Sequence, residues 1–275
     1  MARTAALAID NGELAEAYGA LIEGIQKGAV SEQIKNTLYS GDPTTGSVEV
    51  DRFKNATAAT YGTAREGGEG SKLNNAGKVT VNIDTDKEII EELENKDIQL
   101  FGLPAIIDRR VANHVKRMVA DLDTAFFAQA VAAGTAVTTT ETEIEAVMEA
   151  VIQSVETTTN DYVDGVDRDQ IVLSLKPAAY GKLRNYIDHV SAPSADNSGA
   201  ESIDMFHGVR VFSNHRQSVD VVAMIEGAIA QPVLVNEYDA EKIGLSNAYA
   251  VELFYSYGTK AVTPDLIKTL ETLPA

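Results

Sequence analysis

The chain has 275 residues, of which 44% are hydrophobic and 23% charged, and its formal net charge is −18 at pH 7. This length supports a sizeable core in one large or two smaller domains. The acidic balance argues against an outer surface that grips nucleic acid, because phosphate binding needs clustered Lys and Arg. The chain contains no cysteine, which excludes disulfides and thiolate metal sites. No apolar run approaches the roughly 20 residues of a transmembrane helix.

The N-terminal residues have little apolar mass of their own. Apolar side chains recur at helical spacing over residues 13–27, and Gly28 is a typical helix stop. A second short segment ends in a turn at Gly41-Asp42-Pro43. We therefore expect this region to form an arm that packs on another part of the assembly, such as a neighbouring subunit.

Two alternating segments flank a long polar stretch. Val50 and Phe53 belong to the first segment and Val79 and Val81 to the second, a pattern that predicts two half-buried strands. Roughly 24 residues lie between them, rich in glycine and poor in large apolar side chains, and so long a loop is uncommon unless it is functional or disordered. We predict an extended hairpin with paired strands at its base and a flexible tip.

The next strong pattern is a long amphipathic helix. Residues 104–133 repeat apolar side chains every three or four positions, which predicts a rod of about 30 residues and about 45 Å. Pro104 suits the first position of a helix. No element is assigned to the preceding segment, 85–103, which contains the charged sequence EIIEELENKD. The predicted buried stripe of the helix consists of Ile107, Val111, Val115, Met118, Leu122 and Phe126.

The remaining sequence alternates between helical and strand patterns. A linker over residues 134–140 marks the boundary before this α/β region, and Pro264 ends its last strand pattern. That last strand is expected to return to the first domain. The predicted helices cover residues 140–158 and 176–188, and the predicted strands cover 170–175, 208–214, 219–227 and 249–262.

The sequence contains no motif for nucleophilic catalysis or phosphate binding. No serine stands in a G-x-S-x-G elbow, and no P-loop spacing is present. His207 and His215 flank a predicted strand without a carboxylate motif, so we interpret them as structural or surface histidines. The aspartates between Asp161 and Asp169 do not follow the calcium-loop spacing, which favours a solvated turn. We predict no catalytic, cofactor-binding or metal site, and a protein that is not an enzyme.

The order of these pieces resembles the major capsid proteins of tailed bacteriophages, whose fold was first seen in phage HK97. Similar phrases are VTVNIDTDKE after the hairpin, ENKD before the long helix, DQIVLSLKPAAYGKLRN and FHGVRVFSN. The resemblance covers nearly the whole chain and is carried by the order of elements more than by any single motif.

The resemblance implies an α+β, HK97-like capsid fold with a discontinuous arrangement of parts. The N-terminal arm would be residues 1–47 and the extended hairpin, called the E-loop, residues 48–84. A peripheral domain with the long spine helix would cover residues 85–135, and an α/β axial domain residues 136–248. The C-terminal strand, residues 249–275, would return to the peripheral domain.

The resemblance also implies self-assembly into pentamers and hexamers of an icosahedral shell around double-stranded DNA. The implied partners are other copies of the chain, a separate scaffolding protein, a portal protein, and DNA held by weak non-specific contact, with no membrane and no cofactor. The protein would be located in the virion and assembled in the host bacterial cytoplasm. The E-loop residues expected to contact an adjacent subunit are Val50, Phe53, Tyr61, Arg65, Lys72, Val79 and Val81.

Two other functions stay open at this point. An encapsulin-like nanocompartment shell that packages protein cargo would have a similar sequence pattern, and the contents of the shell would distinguish it. A soluble α/β enzyme would instead require a pocket with convergent polar groups, and the lack of a catalytic motif in the sequence counts against it.

Overall fold

The computed structural model describes residues 11–56, 58, 60–62, 77–94, 96, 103–190, 203–244, 246 and 248–273. The chain divides into two compact units, each built from separate stretches of sequence. Unit 1 comprises Met1–Gln33, Ile83–Asp123 and Pro232–Gly258, and unit 2 comprises Ile34–Asn82, Thr124–Gln231 and Thr259–Ala275.

Helices and strands are mixed along the described residues. The helices are α1 (Asn11–Gly28), α2 (Val30–Ile34), α3 (Leu103–Ala133), α4 (Ile144–Glu156) and α5 (Pro177–Val190). The strands are β1 (Ser47–Val50), β2 (Val79–Asn82), β3 (Thr85–Glu94), β4 (Thr135–Ala136), β5 (Ile171–Leu175), β6 (Met205–Phe206), β7 (Val209–Ser213), β8 (Val221–Ile225), β9 (Ile229–Ala230), β10 (Val233–Lys242), β11 (Ala248–Tyr257), β12 (Lys260–Ala261) and β13 (Ile267–Leu270). Within the part of the chain that the structure describes, no helix is long and apolar enough to span a membrane.

Unit 1 is organised around a three-stranded antiparallel sheet in the order β10-β11-β3. The central strand β11 aligns Leu253 with Ile89 and Tyr257 with Thr85 of β3. Side chains of β3 alternate between half-buried and exposed over most of its length, because successive residues of a strand point to opposite faces. Met118 of α3, also in unit 1, is fully buried.

Unit 2 contains a six-stranded mixed sheet in the order β4-β13-β8-β5-β7-β6. β5 pairs in parallel with β7 and antiparallel with β8. Every residue of β5 is buried, as expected for a strand whose two faces are both covered. The core around it includes Met148 and Val151 of α4, Leu183 of α5 and Phe206 of β6.

The structure confirms the predicted long helix and most of the α/β pattern. α3 runs from Leu103 to Ala133, against the predicted range 104–133. The unassigned segment before it instead supplies β3, residues 85–94. β11 pairs with β3 along its full length, and both strands belong to unit 1. Residues 259–275, however, belong to unit 2.

Candidate assembly interface

The base of the predicted hairpin is a short antiparallel pair within unit 2. β1 and β2 align Val48 with Val81 and Val50 with Val79. Val48, Val50 and Val81 are buried at 0%, 4% and 0% exposure, and they pack with Ala230 of the same unit. Val50 and Val81 are therefore covered by their own chain, which corrects their assignment as contacts to a neighbour.

The correction has a simple physical cause. Alternation of apolar and polar residues predicts that one face of a strand is buried. It carries no information on whether the covering surface belongs to the same chain or to another. Val79 is on the same face of β2 as Val81 and lies opposite Val50, but it is only half-buried.

Large apolar side chains become exposed where the chain leaves the hairpin base. Phe53 is 45% exposed and Tyr61 is 89% exposed. Exposed aromatic side chains are a common feature of protein interfaces. Both therefore remain candidate contacts to a neighbouring subunit, whereas Arg65 and Lys72 lie outside the described residues.

Polar contacts fix the outer side of this hairpin base. Lys78 forms a cross-strand ion pair with Glu49, and this hydrogen bond raises the pKa of the lysine. Lys260 Nζ donates a hydrogen bond to the carbonyl oxygen of Thr80 over 2.9 Å. The base is thus held chiefly by its apolar inner face, and the solvent-exposed polar links on its surface contribute little.

Four of the six residues of the predicted stripe on the long helix lie in the interior. Met118, Leu122 and Phe126 are fully buried and Val111 is 5% exposed. Val115 is half-buried, and the side chain of Ile107 lies outside the described residues. Val111, Met118, Leu122 and Phe126 therefore contribute to the buried core rather than to an exposed surface.

A polar cluster in unit 1 ties α3 to β3. Arg110 pairs with the Glu91 carboxylate, and His114 Nε2 lies 3.0 Å from Glu91 Oε2. Burial raises the pKa of Glu91, but hydrogen bonds from Arg110 and His114 outweigh this effect and hold the pKa below its ordinary value. Sequence patterns gave no sign of this cluster, because residues 85–94 were not recognised as a strand.

A second polar link joins α3 to the central strand of the same sheet. The Tyr255 hydroxyl donates to Asp121 Oδ2 over 2.8 Å. Burial and the neighbouring carboxylate both raise the pKa of Tyr255, so the phenol stays protonated and keeps donating at neutral pH. The helix is thereby fixed in register against both β3 and β11.

The outward face of the unit 1 sheet is strongly acidic. Strand alternation places Asp86, Glu88, Glu92 and Glu94 of β3 on the same face as Ile90, which is 53% exposed. Ile90 aligns with Glu252 of β11, which adds a fifth carboxylate. Like charges on neighbouring strands destabilise a sheet. The cluster of carboxylates on this face therefore does not stabilise the fold. Such a surface repels phosphate groups.

Comparisons with known proteins identify the architecture. No protein-family model matches the sequence, and no protein of curated function matches it. Solved structures do match: one from Mycobacterium phage Che8 has a TM-score of 0.61 at 17% identity, with 82% of this chain and 84% of that chain covered. The capsid of Ralstonia phage GP4 has a TM-score of 0.60 at 14% identity, with 84% of each chain covered.

The chain has an HK97-like capsid fold. A virus-like particle from Pyrococcus furiosus also has this fold, with a TM-score of 0.59 at 13% identity over 94% of this chain and 98% of that chain. The HK97-like fold accounts for the long α3 and for the sheet of three long strands beside it.

Proposed function

We propose that this chain is the structural subunit of a capsid shell, the major capsid protein of a tailed bacteriophage. The observation that supports this proposal best is the match to capsid structures over most of both chains, as with Ralstonia phage GP4. A fold is compatible with several functions. The proposal therefore also requires surfaces on the chain that can bind neighbouring copies.

The hairpin supports an assembly role on physical grounds. Two short strands alone are marginally stable in water, but here their base is buried in unit 2. Beyond that base, Phe53 and Tyr61 present aromatic surface to solvent. We propose that Phe53, Tyr61, Arg65, Lys72 and Val79 contact an adjacent copy. Burial of such side chains in repeated contacts stabilises a closed shell.

The resemblance extends this proposal to the remaining partners. Copies of the chain would form pentamers and hexamers, with a scaffolding protein and a portal protein completing the shell in the bacterial cytoplasm. DNA would be held inside the virion only by weak, non-specific contact. The acidic sheet face of Asp86, Glu88, Glu92 and Glu94 suits such a container, because a surface that bound DNA tightly would hinder filling and release.

A deletion tests the role of the hairpin. We expect the wild-type chain to form closed shells when expressed, as seen by negative-stain electron microscopy. Deleting residues 58–75 should leave a folded subunit, because the buried base of the hairpin stays intact, but should abolish closed shells. Replacing the same residues with a Gly–Ser linker of equal length is the matched control for loop length. Normal shells from the deletion would refute the assembly role of the loop.

The contents of the shell distinguish the capsid from a cargo compartment. Shells isolated from the natural source should carry nuclease-sensitive DNA once opened, which the ratio of absorbance at 260 and 280 nm reports. Shells that hold a defined protein and no DNA would instead favour an encapsulin-like compartment.

A further inference from the structure

The chain just after β1 and the chain just before β2 both lie against the same short loop of unit 2. This seat loop, residues 159–164, is closed on itself by a β-bridge between Thr159 and Asp164 and by a hydrogen bond from Asn160 N to Val163 O of 2.8 Å. Arg52, which follows β1, lies over the Tyr162 ring of this loop. Gly77, which precedes β2, lies beside the same ring. The seat loop thus contacts the chain at both ends of the E-loop.

Arg52 makes the strongest contacts at this crossing. Its Nη2 donates to both carboxylate oxygens of Asp265, at 2.7 and 2.6 Å. Asn160 Nδ2 donates to the same carboxylate from the seat loop. The guanidinium carbon of Arg52 lies 4.1 Å from the centre of the Tyr162 ring, a cation–π geometry. A planar guanidinium can bind the carboxylate and stack on the ring at once, which lysine cannot do.

This ion pair is shielded from solvent. The side chains of Arg52 and Asp265 are 16% and 25% exposed. Burial raises the pKa of Asp265, but hydrogen bonds from Arg52 and Asn160 outweigh it and hold that pKa below its ordinary value. The carboxylate is therefore charged at neutral pH. By contrast, the neighbouring pair of Lys54 with the 70%-exposed side chain of Asp161 is solvated and contributes little.

Position 77, just before β2, has room beside Arg52 and Tyr162 only for glycine. A Cβ atom on Gly77 would lie 2.9 Å from the Arg52 carbonyl oxygen and 3.2 Å from Tyr162 Cε1. Backbone atoms cannot move aside as a flexible side chain can. The two ends of the E-loop are therefore held against each other and against Tyr162.

We propose that Arg52, Tyr162, Asp265 and Gly77 form a clamp that fixes the backbone direction at both ends of the chain segment between Arg52 and Gly77. The proposal rests on the shell function proposed above and deepens it. A loop fixed in direction before assembly loses less conformational entropy on binding a neighbour, which lowers the subunit concentration needed for shells. In this role Arg52 is a positioning residue that need not touch the neighbouring copy.

The substitution Arg52→Lys tests the clamp while keeping the positive charge beside Asp265. We expect amide hydrogen exchange at residues 52–56 of the unassembled subunit to become about tenfold faster. The subunit concentration at which shells form, followed by light scattering, should rise several-fold, whereas the urea midpoint of the subunit should stay nearly unchanged. Tyr162→Leu, which removes the ring under the guanidinium, should produce the same pair of effects.

Lys78→Met is the matched control, because it removes the exposed ion pair with Glu49 at the hairpin base without touching the clamp. Lys78→Met should leave both the amide exchange rate at residues 52–56 and the subunit concentration for shell formation near their wild-type values. Unchanged exchange in both Arg52→Lys and Tyr162→Leu would overturn the clamp, and so would faster exchange with an unchanged assembly concentration. If the wild-type chain forms no shells, the shell function fails, while the exchange measurement still reports on the clamp by itself.

Discussion

Gly24 provides a quantitative test of how α1 packs on α3 within unit 1. A Cβ atom at this position would lie 2.9 and 3.0 Å from the two Cγ atoms of Val115. Val115 is β-branched and has one strongly preferred rotamer in a helix, so it cannot turn away without cost. Gly19 lies in the same helix but has no atom within 4 Å of such a Cβ. The two glycines therefore differ in packing while sharing the same helical backbone.

The expected free energies follow from two opposing effects. Replacing a helical glycine with alanine stabilises the helix by roughly 0.5–1 kcal/mol. Gly19→Ala should gain this amount. Gly24→Ala should gain it too but should also lose about 1–3 kcal/mol to overpacking against Val115, which leaves a net destabilisation of about 0–2.5 kcal/mol. The difference between the two variants is then about 1–3 kcal/mol.

The assay is urea unfolding followed by circular dichroism, with light scattering used to confirm that all samples share one assembly state. In a Val115→Ala background, the space beside Gly24 opens, so Gly24→Ala should become stabilising like Gly19→Ala. The double-mutant cycle thus measures the contact itself. A Gly24→Ala protein as stable as Gly19→Ala in the wild-type background would refute the close α1–α3 packing.

Two further predictions concern the core and the response to pH. Leu122→Asp should prevent folding, because Leu122 is fully buried and an unpaired charge in the interior strongly destabilises the fold. The control Ala128→Asp, at an exposed position of the same helix, should yield folded protein. A native-like circular dichroism spectrum of Leu122→Asp would show that the buried face of the helix is misassigned. Arg168 hydrogen-bonds Glu149 and lowers the pKa of that carboxyl from 4.5. Glu149 therefore contributes stability above about pH 4.5, and this stability is lost as the pH falls through its lowered pKa. The urea midpoint of Arg168→Gln should accordingly fall less steeply below about pH 4.5 than that of the wild type. Equal slopes of urea midpoint against pH would count against the ion pair.

Strong periodicity made several elements predictable from the sequence. The long helix from Leu103 to Ala133 shows a regular apolar stripe, and buried Met118 and Leu122 lie on it. The strand β5, IVLSL, is an uninterrupted apolar run. In such segments the local pattern and the tertiary environment agree, so the sequence is sufficient.

The strand β3 shows where local patterns fail. Its sequence, TDKEIIEELE, is rich in glutamate, which favours helices over strands. It is a strand because β11, more than 150 residues further along the chain, aligns with it from Ala248 opposite Glu94 to Tyr257 opposite Thr85. The Glu91 cluster with Arg110 depends on that pairing, and it could not be predicted before the strand was known.

By itself, the sequence determined the order of most elements apart from β3, the buried face of the long helix and the glycine-rich character of the stretch between β1 and β2. Only the tertiary structure decided what covers each face. It placed Val50 and Val81 inside their own subunit, and it brought Arg52 to Asp265 across 213 positions of sequence. Periodicity reports that a side chain is buried, because burial repeats with the geometry of the element. The partner that buries it is set by long-range packing, which no local pattern encodes.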